Sequence, residues 1–145
     1  MKKITWFKYL WDCNTLLKKI VKSQENFDCI LGVSKGGNIV ATILAYKLNL
    51  PLSIISVESY DGEKKGKVEI NRGITNFDKF KTFKKILLVD DLIDSGDTLI
   101  NLTKYFKDRQ ISSAVLYSKN EKVTPNYCIG VFNSKTWIKF PYEEK

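Results

Sequence analysis

Apolar residues recur at three- and four-residue spacing near the start of the chain: Trp6, Phe7, Leu10, Trp11, Leu16, Leu17, Ile20 and Val21. That spacing predicts an amphipathic helix with Thr5 as its N-cap, its two tryptophans anchored in the core. The pattern then shortens. Phe27 to Val33 is a compact apolar run that reads as a strand and ends in Ser34-Lys35-Gly36-Gly37. A helical pattern follows from about Asn38 to Leu48, Pro51 resets the chain, and Leu52 to Val57 reads as a second buried strand. Ile86 to Asp90 is a third, Asp97 to Phe106 a helix with Leu99, Leu102 and Phe106 on one face, and Ser113–Tyr117 and Tyr127–Phe132 complete the strands. From Ser59 to about Lys85 the chain is polar and without strong period, save that Val68 and Ile70 alternate as in a small hairpin. A stretch this long without period has the character of a lid.

Apolar strands alternating with helices predict an α/β fold: an open, mainly parallel five-stranded sheet with helices on both faces. Right-handed crossovers favour placing strand 27–33 beside strand 86–90, their outgoing connections passing to opposite faces. The crevice between their carboxyl ends is then the topological switch point, where open α/β sheets bind ligands. Ser34 to Gly37 and Asp90 to Thr98 are the two loops that leave those strands, so both are expected at one crevice.

The 145 residues fit a single domain, 1–145, with no internal repeat or linker. No apolar run approaches a membrane span, and the N-terminus lacks the apolar core and cleavage site of a signal peptide, so a cytoplasmic setting is expected. The three cysteines are scattered and histidine is absent. That argues against zinc and a disulfide framework, and removes Ser-His and Cys-His catalysis. The formal charge of +8 is carried almost wholly by dispersed lysines and reads as a solvated surface rather than a nucleic-acid face.

The acids matter more than the net charge. Asp94-Ser95-Gly96-Asp97-Thr98 opens a helix, where unpaired N–H groups and the helix dipole favour an anion; Ser95 and Thr98 add hydroxyl donors, and Gly96 lets a ligand approach the backbone. The same residues would also serve as an ordinary helix cap. Adjacent carboxylates at Asp90 and Asp91 call for hydroxyl donors or a divalent cation to offset their repulsion, although two solvated acids at a strand end is the plainer reading. "ILLVDD" resembles a Walker B strand, but no G-x-x-x-x-G-K-[ST] occurs. It resembles the first strand of a receiver domain too, yet here most of the sheet precedes it.

The segment Ile86 to Thr98, "ILLVDDLIDSGDT", resembles the phosphoribosyl-diphosphate signature of type I phosphoribosyltransferases at all thirteen positions. "GVSKGG" is similar to the family's diphosphate-binding loop and "SYDG", Ser59 to Gly62, to the start of its mobile catalytic loop. "YSK", ending at Lys119, and "TWIKFPYE" resemble the purine-binding end of bacterial xanthine-guanine enzymes. The resemblance implies a short C-terminal hood on the sheet and an Mg²⁺-dependent transfer of phosphoribose from phosphoribosyl diphosphate to a 6-oxopurine. It implies 5′-phosphate contacts at Asp94 to Thr98, Asp97 turned outward, and ribose contacts at Asp90 and Asp91 with Asp91 nearer the metal. Ser34, Lys35, Gly36 and Gly37 would meet the diphosphate, with a cis peptide common at the position of Ser34-Lys35. Asp94 would move the purine N7 proton, Trp137 would stack on the base, the Ile138 backbone would read its exocyclic edge, and Lys119 would donate to the 6-oxo group. Ser59 and Tyr60 would belong to the closing loop, and a homo-oligomer, dimer or tetramer, is implied. Lys35 stands where xanthine-guanine enzymes usually carry Arg and hypoxanthine-guanine enzymes commonly carry Lys. Two other readings stay open: a non-catalytic relative that senses nucleotides or binds RNA, and an enzyme for another nucleobase.

Overall fold

The computed structural model describes residues 1–56 and 73–144; Ser59, Tyr60, Val68 and Ile70 lie outside them. The elements are β1 (Lys2–Lys3), α1 (Trp6–Ser23), β2 (Cys29–Ser34), α2 (Gly37–Leu48), β3 (Leu52–Ser56), α3 (Phe77–Phe80), β4 (Lys85–Ile93), α4 (Asp97–Tyr105), β5 (Gln110–Ser118), β6 (Tyr127–Val131) and β7 (Ile138–Lys139), followed by a 3₁₀ turn, Pro141–Glu143. Five strands form one sheet in the order β3-β2-β4-β5-β6, every pairing parallel. A separate two-stranded parallel ribbon joins β1 to β7. Among the described residues no helix is long and apolar enough to cross a membrane.

The sheet is covered on both faces, as its apolar strands require. On one face α1 and α2 pack Tyr9, Leu16, Ile20, Val40 and Leu44 against Ile30, Leu87 and Leu116. On the other, Phe80, Leu102 and Phe106 lie over Leu31, Ile86 and Leu88. The connections leaving β2 and β4 thus pass to opposite faces, and the switch point falls between these neighbouring strands, as expected.

α1 begins at Thr5, whose hydroxyl accepts from the Lys8 N–H at 3.1 Å. Its buried stripe is not the one the tryptophans suggested. Tyr9, Cys13, Leu16 and Ile20 face the sheet, while Trp6 and Trp11 are 48% and 64% exposed. They are not core anchors. At 100° per residue a stripe through 9, 13, 16 and 20 turns 7, 10 and 11 outward. The stripe also contains Asp12, which hydropathy alone assigns to the surface. It is buried because the Tyr117 hydroxyl and the Lys8 ammonium both donate to its carboxylate, the latter at 2.6 and 2.7 Å.

Boundaries moved by a few residues. β4 does not stop at Asp90. Its ladder with β5 continues through Leu92 opposite Tyr117 and Ile93 opposite Ser118, so both acids sit inside the strand. β1 and β7 were not anticipated, since two-residue strands carry no periodic signal.

Candidate active site

Three segments meet at the carboxyl ends of β2 and β4. The first is the turn from β2 into α2. The Ser34–Lys35 peptide bond is cis, the geometry implied by the resemblance. Gly36 lies so close to Asp91 that an added Cβ would collide with its carboxylate, and a Cβ on Gly37 would come within 2.8 Å of the Val89 carbonyl oxygen. Side chains at 36 and 37 would therefore push the turn off β4.

The second segment runs from β4 into α4. Asp90 and Asp91 are adjacent in a strand, so their side chains leave in different directions. The Asp90 carboxylate accepts from the Asp91 N–H at 2.8 Å, while Asp91 receives the Tyr142 hydroxyl. Burial, reinforced by the charge of Asp91, pushes Asp90 well above the usual carboxylate range. Burial raises Asp91 too, against the opposing hydrogen bond from Tyr142. Two neighbouring half-buried acids share the cost of ionisation and keep a proton longer than isolated ones. A cationic partner arriving in the cleft would favour full ionisation.

Beyond Ile93 the chain turns through Asp94 and Ser95 to Gly96, which has φ +86°. A Cβ there would stand 2.5 Å from the Val123 side chain, so the position is constrained by backbone conformation and by space. The Ser95 carbonyl accepts from the Asn120 side chain at 2.7 Å and its hydroxyl accepts from the Asp97 N–H at 3.3 Å. These bonds hold the turn at the start of α4, where the helix's first N–H groups point outward. Asp97 itself is exposed, consistent with the outward aim expected of it.

The third segment is the C-terminal hood. Its ribbon fixes the backbone: the Trp137 and Lys139 carbonyls accept from Lys2 and Ile4 at 2.7 and 2.9 Å. Strand alternation therefore turns the Ile138 carbonyl the other way, off β1. Trp137 is 67% exposed and is not a packing anchor, while the Ile138 side chain is buried. Lys119, at the end of β5, is far from a solvated lysine. Its side chain is only 9% exposed, and its ammonium lies 3.4 Å from the exposed Asp94 carboxylate.

A cleft of about 620 Å³ brings these segments together, lined by Ser34, Lys35, Gly36, Asp90, Asp91, Asp94, Thr98, Lys119, Trp137 and Ile138. Its size suits a nucleotide-like ligand. A smaller adjoining cavity of about 120 Å³ reaches Ser95, Gly96 and Thr98. Of the other site residues read from the sequence, Gly37 packs behind Asp90, Asp97 faces out, and Ser59 and Tyr60 lie outside the described residues. Sequence reasoning missed Tyr142 and Asn120. The only sequence signal for Tyr142 was its place in "FPYE" just after Ile138.

A parallel sheet with a glycine turn, two half-buried acids and a helix start at its switch point marks an α/β protein whose crevice suits an anionic ligand. Comparison with known proteins narrows this class: a family model described as the phosphoribosyl transferase domain matches residues 6–145, and the chain belongs to that family. It is 24% identical over 141 residues to a xanthine-guanine phosphoribosyltransferase of Chromohalobacter salexigens, covering 97% of this chain and 82% of that one. Among solved structures it is similar to a purine phosphoribosyltransferase from Pyrococcus horikoshii, with 28% identity, TM-score 0.73 and coverage of 99% and 94%. It shares its fold with a xanthine-guanine-hypoxanthine phosphoribosyltransferase of Helicobacter pylori, at 20% identity, TM-score 0.72 and coverage of 98% and 92%.

Proposed function

We propose that the protein transfers the 5-phosphoribosyl group of phosphoribosyl diphosphate to a 6-oxopurine (guanine, xanthine or hypoxanthine), releasing diphosphate, in purine salvage. The observation that carries this reading is the Asp94–Lys119 pair at 3.4 Å, facing one cleft with the exposed Trp137. A buried lysine beside an acid matches the edge of a 6-oxopurine, which offers an acceptor oxygen next to a nitrogen that must lose a proton. Adenine, with an amino group at that position, would leave Lys119 facing a donor. The purine names borne by the relatives support the same substrate class.

In this reading the N–H groups at Ser95 to Thr98, with the Ser95 and Thr98 hydroxyls, bind the 5′-phosphate. Trp137 stacks on the base and the Ile138 carbonyl accepts from an exocyclic amino group. N9 of the purine attacks C1′ as the bond to diphosphate breaks, and positive charge develops on the sugar. Asp90 and Asp91 stabilise that charge from close range in a cleft of low dielectric. Lys35 stabilises the departing diphosphate as a point charge. Asp94 accepts the proton that N7 of the purine sheds.

The acids also fit Mg²⁺. Among the described residues no three His, Cys, Asp or Glu side chains form a ligating cluster, but Mg²⁺ needs only one or two carboxylates with water and phosphate oxygens. Asp91, in the cleft beside the glycine turn, is the carboxylate we assign to it, and the ion when bound would neutralise diphosphate charge. Cys13, Cys29 and Cys128 are free thiols, in keeping with a reducing cytoplasmic setting.

We also propose self-association, as a dimer or tetramer, through the outer face of α1. Phe7, Leu10 and Trp11 form an exposed apolar row there, Phe7 and Trp11 stacking with centroids 6.2 Å apart. Sedimentation equilibrium should give a multiple of the 16.7 kDa chain mass, and Trp11→Glu should lower it; a monomer at all concentrations would refute the assembly. The activity is tested by supplying phosphoribosyl diphosphate and Mg²⁺ with guanine, xanthine, hypoxanthine or adenine in turn and measuring diphosphate release. Release is expected with at least one 6-oxopurine, and none with any of them would refute the function.

A further inference from the structure

We infer that Tyr142 is a positioning residue: its hydroxyl fixes Asp91 and so couples the base-binding hood to the diphosphate side of the cleft. The inference rests on the proposed function and concerns how its two substrate sites are joined.

Tyr142 sits in the Pro141–Glu143 turn, three residues beyond β7, which carries Ile138. Its hydroxyl donates to the Asp91 carboxylate and lies 3.5 Å from the Gly36 carbonyl oxygen. One oxygen therefore stands between the turn after β2, the acid of β4 and the C-terminal segment. The ring that carries it is well held. It stacks on Phe140 with centroids 5.3 Å apart and planes 5° from parallel, and meets Tyr9 of α1 edge-on at 5.7 Å. The turn is closed by the Glu143 carboxylate, which accepts from the Phe140 N–H at 2.7 Å. Phe140 is itself buried.

The consequence is mechanical. Trp137 and Ile138 face the base, while Asp91 and Gly36 face the sugar and its leaving group. A short chain segment, stiffened by buried Phe140, links the two sets. Gly36 leaves space at Asp91 but supplies no side chain to orient it. The Tyr142 hydroxyl supplies that orientation, and positioning by a locked neighbour is what holds a site in productive geometry.

Tyr142→Phe removes the hydroxyl and keeps the ring, so the aromatic stack should survive. Calorimetric titration of phosphoribosyl diphosphate in Mg²⁺ should show affinity weakened about tenfold, the size expected for a lost hydrogen bond to a charged group. The thermal midpoint should hardly change, and the gain in guanine affinity on binding phosphoribosyl diphosphate should shrink. A double-mutant cycle separates positioning from packing: added to Asp91→Asn, Tyr142→Phe should have no further effect on that affinity. Unchanged affinity in the single variant would overturn the inference. So would full additivity with Asp91→Asn, or a loss shared by both substrates along with a lowered midpoint. If the wild-type protein itself fails to bind phosphoribosyl diphosphate, the functional reading falls first and this inference with it. Normal binding and turnover in the wild type, with a silent Tyr142→Phe, would sink this inference alone.

Discussion

Asp94 is exposed and Lys119 nearly buried, an asymmetry that suits the roles proposed for them. In the proposed function the lysine recognises the 6-oxo oxygen and the acid takes a proton. Asp94→Asn should lower turnover by about 10²- to 10⁴-fold, the usual weight of a general base. Affinity for phosphoribosyl diphosphate should be largely kept, because the helix N–H groups and hydroxyls remain. Rapid-quench turnover together with equilibrium binding checks both halves; an unchanged turnover would take Asp94 out of proton transfer. Asp90 behaves differently because it is half-buried and desolvated beside a second acid. Its pKa is raised on folding, so the native state keeps a proton that the unfolded chain has released. Stability from this pair is thus greatest below the unfolded carboxylate value, about 4, and declines as pH rises from there through the raised native value. Asp90→Asn should flatten that decline and raise the unfolding midpoint of the unliganded protein at pH 7 by about 3–6 °C. Melting curves from pH 4.5 to 8 test it, and an unaltered slope would contradict it. At this scale the acids and hydroxyls of the Asp90 to Thr98 segment were legible, because their residue types state their chemistry. Tyr142 was not, since only folding brings it 51 positions back to Asp91.

The start of α4 is the element to which the proposed function assigns phosphate binding. Gly96 occupies a left-handed conformation with Val123 pressed against it, so Gly96→Ala meets two penalties. It should cost about 1–3 kcal/mol of stability and weaken phosphoribosyl diphosphate binding through the distorted turn. Urea denaturation and the KM for that substrate provide the check; an alanine variant of full stability would show that the turn is not strained. Period and capping residues were enough to find α1, α2, α4 and all five strands of the main sheet. They failed where the deciding force was tertiary. β4 runs three residues past Asp90 because β5 offers partners there, and two carboxylates in a sequence look like a strand's end. The tryptophans of α1 mislead for a related reason: their size suggests burial, whereas the phase set by Tyr9, Cys13, Leu16 and Ile20 decides it.

For the whole molecule, the strand order was the most informative expectation. Handedness and the apolar strands implied β2 beside β4, and that neighbourhood puts the glycine turn and the acids at one crevice. The hood was legible only through resemblance, because β1 and β7 are too short to announce themselves and their pairing joins opposite ends of the chain. Through that pairing Lys2 and Ile4 fix the Trp137–Ile138 backbone, to which the proposed function assigns base recognition. The central claim is that this cleft joins phosphoribose to a 6-oxopurine. Its most direct test is one reaction containing phosphoribosyl diphosphate, Mg²⁺ and equal amounts of guanine, xanthine, hypoxanthine and adenine, with products identified by mass. The account predicts 5′-nucleotides of one or more 6-oxopurines, matched one to one by diphosphate, and no adenine nucleotide. Adenine nucleotide as the main product, or no nucleotide at all, would contradict it.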